Sequence, residues 1–221
     1  GLDVPNPRLS WKIRALNIAD RGQKQSSFQI LVASCEDLLK SGKPDLWDSG
    51  IIKSDESVNI MYNGEKLTEG QECFWTVRVT DENNNWSAWS ETSFWTMGLL
   101  SQESWKGKWI GADGLTLDTQ SRGSISMRKA DPWLRKTFTL PESPQKAVIY
   151  VASVGYHELY VNGQKISDMV LVPSATDHKK RARYITYDIS NELVQGENVI
   201  ALWLGTSWSI FPAYQTEDRP H

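Results

Sequence analysis

The stretch MGLLSQESWKGKWIGA, residues 97–112, divides the chain. It has neither the roughly 3.6-residue period of a helix nor the alternation of a strand. Gly98, Gly107 and Gly111 give it backbone freedom, and Trp105 and Trp109 are large apolar side chains that demand cover. A flexible tether would be rich in Gly and Ser without tryptophan. The stretch therefore reads as a packed joint, with Trp105 and Trp109 expected to be buried between two β-sandwiches. To its left, short strands end in WSAWSETSFWT, residues 86–96; to its right, a second series begins at Trp133.

In the left half, Leu9, Trp11 and Ile13 alternate with polar neighbours, as in a half-buried strand. FQILVAS follows, with Phe28, Ile30 and Val32 on one face, then DLWDSGII and VNIMY. Asn63-Gly64 marks a turn. FWTVRVTD places Trp75, Val77 and Val79 inward, and TSFWT closes the series. About six short strands with almost no helical pattern predict a sandwich. In the right half the strands are WLRKTFTL, KAVIYVAS, HELYV, QKIS, RYITYDIS and ENVIALWLG. Asn162-Gly163 turns the third into the fourth. Tyr184, Thr186 and Asp188 share a face. ENVIALWLG is apolar on both sides, which predicts a central strand covered twice.

The 221 residues suffice for two ordinary domains, and 39% hydrophobic with 23% charged residues is a globular composition. A net charge of −3 gives no general drive toward nucleic acid or anionic membrane. No apolar run approaches the ~20 residues of a membrane span. Cys35 and Cys73 read as half-buried free thiols, in preference to a disulfide. Eleven tryptophans are spread over both halves. A single Trp is more often a core plug than a sugar platform, though either use fits its flat apolar face.

Three motifs in the left half carry a sharp and a plain reading. Trp86-Ser87-Ala88-Trp89-Ser90 matches the WSxWS motif of class I cytokine receptors, with Arg78 placed to stack on the Trp faces. The paired cysteines of those receptors are missing, so a structural ladder is the preferred reading. Asp81 to Asn85 resembles the start of a calcium loop, but Trp86 and Thr92 occupy the positions that need Gly and Glu. A polar hairpin turn fits better. Asn85-Trp86-Ser87 is a glycosylation sequon, a triplet common by chance.

LTEGQECFWTVRVTDENNNWSAWSETSFWT resembles the last two strands of a fibronectin type III domain, with Trp75 where that fold keeps its corner tyrosine. GLDVPNPRLSW resembles its second strand, which implies a first strand upstream. GYHELYVNGQKIS and YITYDISNELVQGENVIALWLG resemble a galactose-binding-type jelly roll. Such a fold needs about eight strands, so the C-terminal end also reads as cut. The ordered series from PNPRLSW through QSSFQILVAS, DLWDSGII and SWKGKWIGA to the second sandwich resembles the N-terminal part of bacterial α-L-rhamnosidases of glycoside hydrolase family 78. The implied architecture is all-β: a fibronectin type III-like sandwich over residues 1–97, the Trp-anchored joint over 98–112, and a jelly-roll carbohydrate-binding-like sandwich over 113–221.

The resemblance implies a parent that hydrolyses terminal α-L-rhamnosides with inversion, using two carboxyl groups about 6.5–9.5 Å apart. It places that pair on a later helical barrel, so no catalytic residue is assigned to this chain. The implied partners are that barrel and rhamnose-containing glycans. The histidines are His157, His178 and His221, with no HExxH, GxSxG or phosphate loop around any of them. The candidate sugar-contact residues are Asp177 and His178 in one loop and Trp208, Phe211 and Tyr214 in another: a carboxylate for hydroxyls and aromatic faces for a ring. The competing reading has Asp177 capping a turn and the aromatics packing under further strands. Where the family often has PGWTDY, this chain has Pro173-Ser-Ala-Thr-Asp-His178, which removes an aromatic at Ala175. Some relatives bind rhamnose through calcium, but no motif here supplies a ligand set. The alternatives are a free-standing carbohydrate- or protein-binding module of the cell surface and, on WSAWS alone, a receptor-like ectodomain.

Overall fold

The computed structural model describes residues 1–15, 19, 21–111, 132–177 and 180–205. The chain forms two compact units, Gly1–Lys106 and Gly107–His221. Among the described residues, no helix is long and apolar enough to cross a membrane.

The first unit contains β1 (Arg8–Leu9), β2 (Ser27–Ala33), α1 (Glu36–Lys40), β3 (Trp47–Asp48), β4 (Ile52–Lys53), β5 (Ile60–Met61), β6 (Glu72–Thr80) and β7 (Ser93–Thr96). One sheet has the order β3-β2-β6-β7, with β4 also paired to β2; β1 and β5 form a second, two-stranded sheet. The antiparallel register sets Phe28 opposite Val79, Ile30 opposite Val77 and Val32 opposite Trp75. The alternation read from the sequence is thus the inward face: Phe28, Ile30 and Val32 are at most 1% exposed. They pack with Leu9, Leu46, Tyr62, Leu67, Cys73, Val77 and Met97. Tyr62 is buried and donates its hydroxyl hydrogen to the carbonyls of Leu46 and Glu65, at 3.1 and 2.8 Å. Burial, with the neighbouring Cys73 and carboxylates, pushes its pKa up to about 12.

Three details differ from the sequence reading. The first strand stops at Leu9. Trp11 leaves the alternation and packs edge-on against Phe28 at 5.0 Å, its indole N–H donating to Gln25 at 2.9 Å. Ile13 is consequently 43% exposed. DLWDSGII is two strands because Gly50, at φ 61, breaks it between β3 and β4. The helix α1 lacks any long amphipathic pattern, being one short turn with an exposed Glu36–Lys40 pair at 3.1 Å on its surface. Its Leu39 packs with Leu31 and Ala33 on the face of the large sheet opposite Phe28.

The WSxWS segment is a ladder along β6. Arg78 lies 4.4 Å from the Trp86 ring and 4.6 Å from the Trp89 ring. Ser87 and Ser90 donate their backbone N–H groups to Val79 and Val77, at 2.8 Å each. Their hydroxyls accept from the N–H groups of the same two residues, at 3.1 and 3.2 Å. Each Ser thus supplies both a donor and an acceptor to β6, acting as a surrogate strand. Asp81 closes the hairpin by accepting from the N–H groups of Asn83 and Asn85 at 2.8 Å. With the Asn85 side chain, these bonds hold its carboxyl below the usual range. The polar-turn reading of this segment therefore holds.

The joint begins as part of the first unit. Met97 is 1% exposed. Leu100 and Ser101 donate their N–H groups to Glu69, at 2.7 and 3.2 Å. Ser101 caps a 3-10 turn over Gln102–Ser104. Trp105 is half-buried. Trp109 is 67% and Ile110 69% exposed, so the burial expected of Trp109 is not found.

The second unit contains β8 (Trp133–Leu140), β9 (Val148–Ala152), β10 (Tyr156–Val161), β11 (Gln164–Lys165), β12 (Tyr184–Asp188) and β13 (Gly196–Gly205). All six sit where the sequence pattern put them. A four-stranded sheet of order β11-β10-β13-β8 lies with a two-stranded β12-β9 sheet. Val151 and Tyr187 from one sheet pack with Leu159 and Val161 from the other. Asn162 at φ 49 and Gly163 at φ 83 make the tight turn between β10 and β11.

Asn198 is fully buried. Its amide donates to the carbonyls of Val194 and Gly196, and its oxygen accepts from the Val194 N–H and the Asn162 amide, all at 2.7–3.0 Å. Asn162 in turn accepts from the Val199 N–H at 2.8 Å. The two asparagines therefore weld the turn to the root of β13. β13 is central, as expected, between β10 and β8. It is not covered on both sides, since Trp203 is 40% exposed.

A candidate carbohydrate-contact site

The loop after β11 is fixed at its base. The N–H of His157 on β10 donates to the Val172 carbonyl at 2.9 Å. Pro173, which follows a cis peptide bond, is buried. Beyond this root the chain surfaces, and Asp177 is exposed. Its carbonyl accepts from the N–H groups of Lys180 and Arg181 at 2.9 Å each. Its carboxylate lies 3.5 Å from the Lys180 ammonium. Thr176 donates its hydroxyl hydrogen to Arg181 O at 2.9 Å, and Arg183 reaches the Ser174 hydroxyl at 2.7 Å. The backbone of Asp177 thus closes a turn while its side chain stays at the surface. Ala175 is exposed. His178, Trp208, Phe211 and Tyr214 lie outside the described residues, so Asp177 is the one member of the candidate set whose surroundings are seen.

Beneath this loop His157 is buried in a hydrogen-bonded chain. Its Nδ1 lies 2.9 Å from Ser153 Oγ and its Nε2 lies 2.9 Å from Tyr187 OH. Ser153 Oγ donates to the Gly155 carbonyl at 3.2 Å. A neutral ring with its proton on Nδ1 satisfies the series: Nδ1–H to Ser153, Tyr187 O–H to Nε2. Burial pulls the His157 pKa down to about 4 and raises that of Tyr187. A Ser beside a His invites comparison with a nucleophile and its base. Here Ser153 is 4% and His157 3% exposed, so no substrate can reach the pair and its work is structural.

The outer face of the four-stranded sheet carries a group that the loop reading missed. The register puts Trp133 and Glu158 on either side of Trp203, and Arg135 and Tyr160 on either side of Ala201. The Trp133 and Trp203 rings stack at 4.9 Å with 19° between planes, and Tyr160 lies 5.6 Å from Trp133. The Tyr160 hydroxyl donates to one oxygen of Glu158 at 2.7 Å, while the Lys165 ammonium donates to the other at 2.5 Å. Those two bonds, Lys165 first, hold the Glu158 carboxyl below its usual range. Trp133 is 58% exposed. Period-2 spacing along β8 is the sequence signal that sets Trp133 and Arg135 on one side. The apolar run of β13 hid the exposure of Trp203.

Among the described residues, no group of three His, Cys, Asp or Glu side chains is arranged to hold a metal. Cys35 is exposed, Cys73 is buried, and both are free thiols.

Fold and surface together define a tandem of β-sandwich domains whose second member presents aromatic and charged groups in company. Residues 1–101 match the family described as "Rha78A-like, N-terminal immunoglobulin domain", and residues 142–219 match "Alpha-L-rhamnosidase N-terminal domain". An α-L-rhamnosidase of Formosa agariphila is 32% identical over 94% of this chain and 23% of its own length. One from Alteromonas sp. is 36% identical over 92% of this chain and 22% of its own length. The solved α-L-rhamnosidase from Dictyoglumus thermophilum superposes with a TM-score of 0.79 at 32% identity, covering 95% of this chain and 24% of that one. The Aspergillus terreus structure gives 0.70 at 25% identity, covering 94% and 22%. The chain belongs to the N-terminal region of α-L-rhamnosidase-like proteins and spans under a quarter of the length of these relatives.

Proposed function

We propose that these two domains are the non-catalytic front end of an α-L-rhamnosidase-type glycoside hydrolase, whose hydrolysis of terminal α-L-rhamnosides with inversion is carried out by a separate helical barrel. The observation that carries this reading is the lopsided coverage: 92–94% of this chain against 22–23% of the curated relatives. Inversion requires an acid and a base carboxyl about 6.5–9.5 Å apart with water between them. No pair on this chain is assigned those roles. Incubation of the chain with an aryl α-L-rhamnoside is expected to give no turnover above buffer. Turnover that disappears when one Asp or Glu is replaced would overturn the reading.

Within that role, the loop bearing Asp177 and His178, together with Trp208 and Tyr214, contacts a rhamnosyl residue. Support comes from the anchoring of the loop at Val172 and Pro173, which holds an exposed Asp177 carboxylate at a fixed end of the sandwich. L-rhamnose titrated with and without calcium is expected to shift the Asp177 amide resonance, and Asp177→Ala to abolish the shift. Resonances that never move would remove the loop from the reading and leave the domains as scaffold.

A further inference from the structure

We propose a second carbohydrate contact on the outer face of the β11-β10-β13-β8 sheet. There the Trp133–Trp203–Tyr160 ledge takes one pyranose ring, and Glu158 and Lys165 bind its hydroxyl groups. The proposal goes beyond the loop reading, because no loop residue enters it.

The first argument is exposure. Two indoles stacked on each other at 4.9 Å could fill a core, yet these remain 58% and 40% exposed. Large aromatics left in water, held rigid by mutual stacking, form a pre-organised apolar surface that loses little freedom on binding. The second is the polar fringe. Glu158 stands directly across from Trp203, and among the described residues each of its oxygens has one donor, Tyr160 or Lys165. A carboxylate oxygen has room for a further hydrogen bond, and an ammonium has three protons. Acceptor and donor therefore sit at the rim of the ring surface, as a polyhydroxylated ring with apolar C–H faces requires. Arg135, exposed on β8 and across from Ala201, extends the donor rim.

The third argument is size. Along the same face of β8 the outward residues continue as Arg135, Thr137 and Thr139, all exposed and polar. On β8, therefore, the apolar part of the face ends at Trp133. A specific protein interface buries about 800 Å² per partner around a broad apolar centre, and a face that turns polar directly beyond Trp133 on β8 is a narrow one. A single sugar ring matches it. A shallow contact of this kind binds at about millimolar affinity.

The test titrates methyl α-L-rhamnopyranoside into the full chain, with methyl α-D-glucopyranoside as a second probe, following assigned indole N–H resonances. The expected result is saturable shifts at Trp133 and Trp203 that Asp177→Ala leaves intact. Trp133→Ala and Trp203→Ala should each weaken binding at least tenfold, and Glu158→Gln severalfold. Should an alanine variant fail to fold, Trp133→Phe decides, with a partial loss of affinity expected. Absence of shifts at both indoles overturns the ledge. So do shifts that vanish with Asp177→Ala but survive Trp133→Ala; that second result would place the sugar at the loop and leave the loop reading standing.

Discussion

His157 shows how burial fixes a protonation state. Protonated, it would need an acceptor at Nε2, and Tyr187 could accept only by turning its own O–H away from a partner. The folded-state pKa of about 4 against about 6.5 unfolded follows from burial. Between those values the unfolded chain binds a proton that the folded chain does not, so stability rises with pH across the window. The contribution is full above about pH 6.5 and is lost progressively as pH falls toward 4, reaching about 3 kcal/mol at most. Urea midpoints of parent and His157→Gln, compared from pH 7 to 4, are expected to show the steeper fall in the parent. Parallel curves would mean that the ring titrates alike in the folded and the unfolded chain. None of this was legible from the sequence, where His157 is one polar residue in an alternating strand. Its partners come from β12 and from the turn before β10, and periodicity does not report on either.

At the scale of elements, the WSxWS ladder shows what local pattern can deliver. The motif, its offset from Arg78 and the stacking were all readable, because two Trp three residues apart opposite a strand Arg leave little choice of geometry. Each Arg–Trp contact is worth about 0.5–1 kcal/mol at an exposed site. Arg78→Ala is therefore expected to cost about 1–2 kcal/mol, with thermal unfolding of the first unit as the measure, whereas Arg78→Lys should recover part of the loss. An unchanged midpoint would show that the serine bonds hold the segment alone. Two errors share one cause. Trp11 was read by alternation but is captured by Phe28 and Gln25, and α1 forms because Leu39 finds Leu31 and Ala33. In both, a tertiary contact overrides the local period. The six strands of the second unit were recovered because their turns, above all Asn162-Gly163, announce themselves chemically.

For the whole molecule, the tandem of sandwiches was legible because a non-periodic stretch separates two series of short strands. The role of that stretch was less so. Its tryptophans promised burial, but its first residues are bound into the first unit through Glu69, and Trp109 is 67% exposed. Trp109→Ala is accordingly expected to change stability by no more than about 0.5 kcal/mol, the usual range for surface positions. A loss of 3 kcal/mol in a denaturant titration would restore the buried joint. The sugar-contact candidates were only partly legible. Composition pointed to loops with a carboxylate and aromatics. The Trp133–Trp203 ledge needs the register of three strands, and that register is set by the whole sheet.

The two cysteines have a practical consequence. Cys35, exposed, stands at the start of α1, while Cys73 has no exposed surface and a pKa pushed by burial to about 12. Thiolate is the reactive form, so a maleimide dye should enter the folded chain at Cys35 alone, giving one spectroscopic label at a known place. The second equivalent can enter only when β6 leaves the core. Its rate of uptake, counted by mass, becomes a clock for the opening of the first unit by itself, blind to anything that happens in the second.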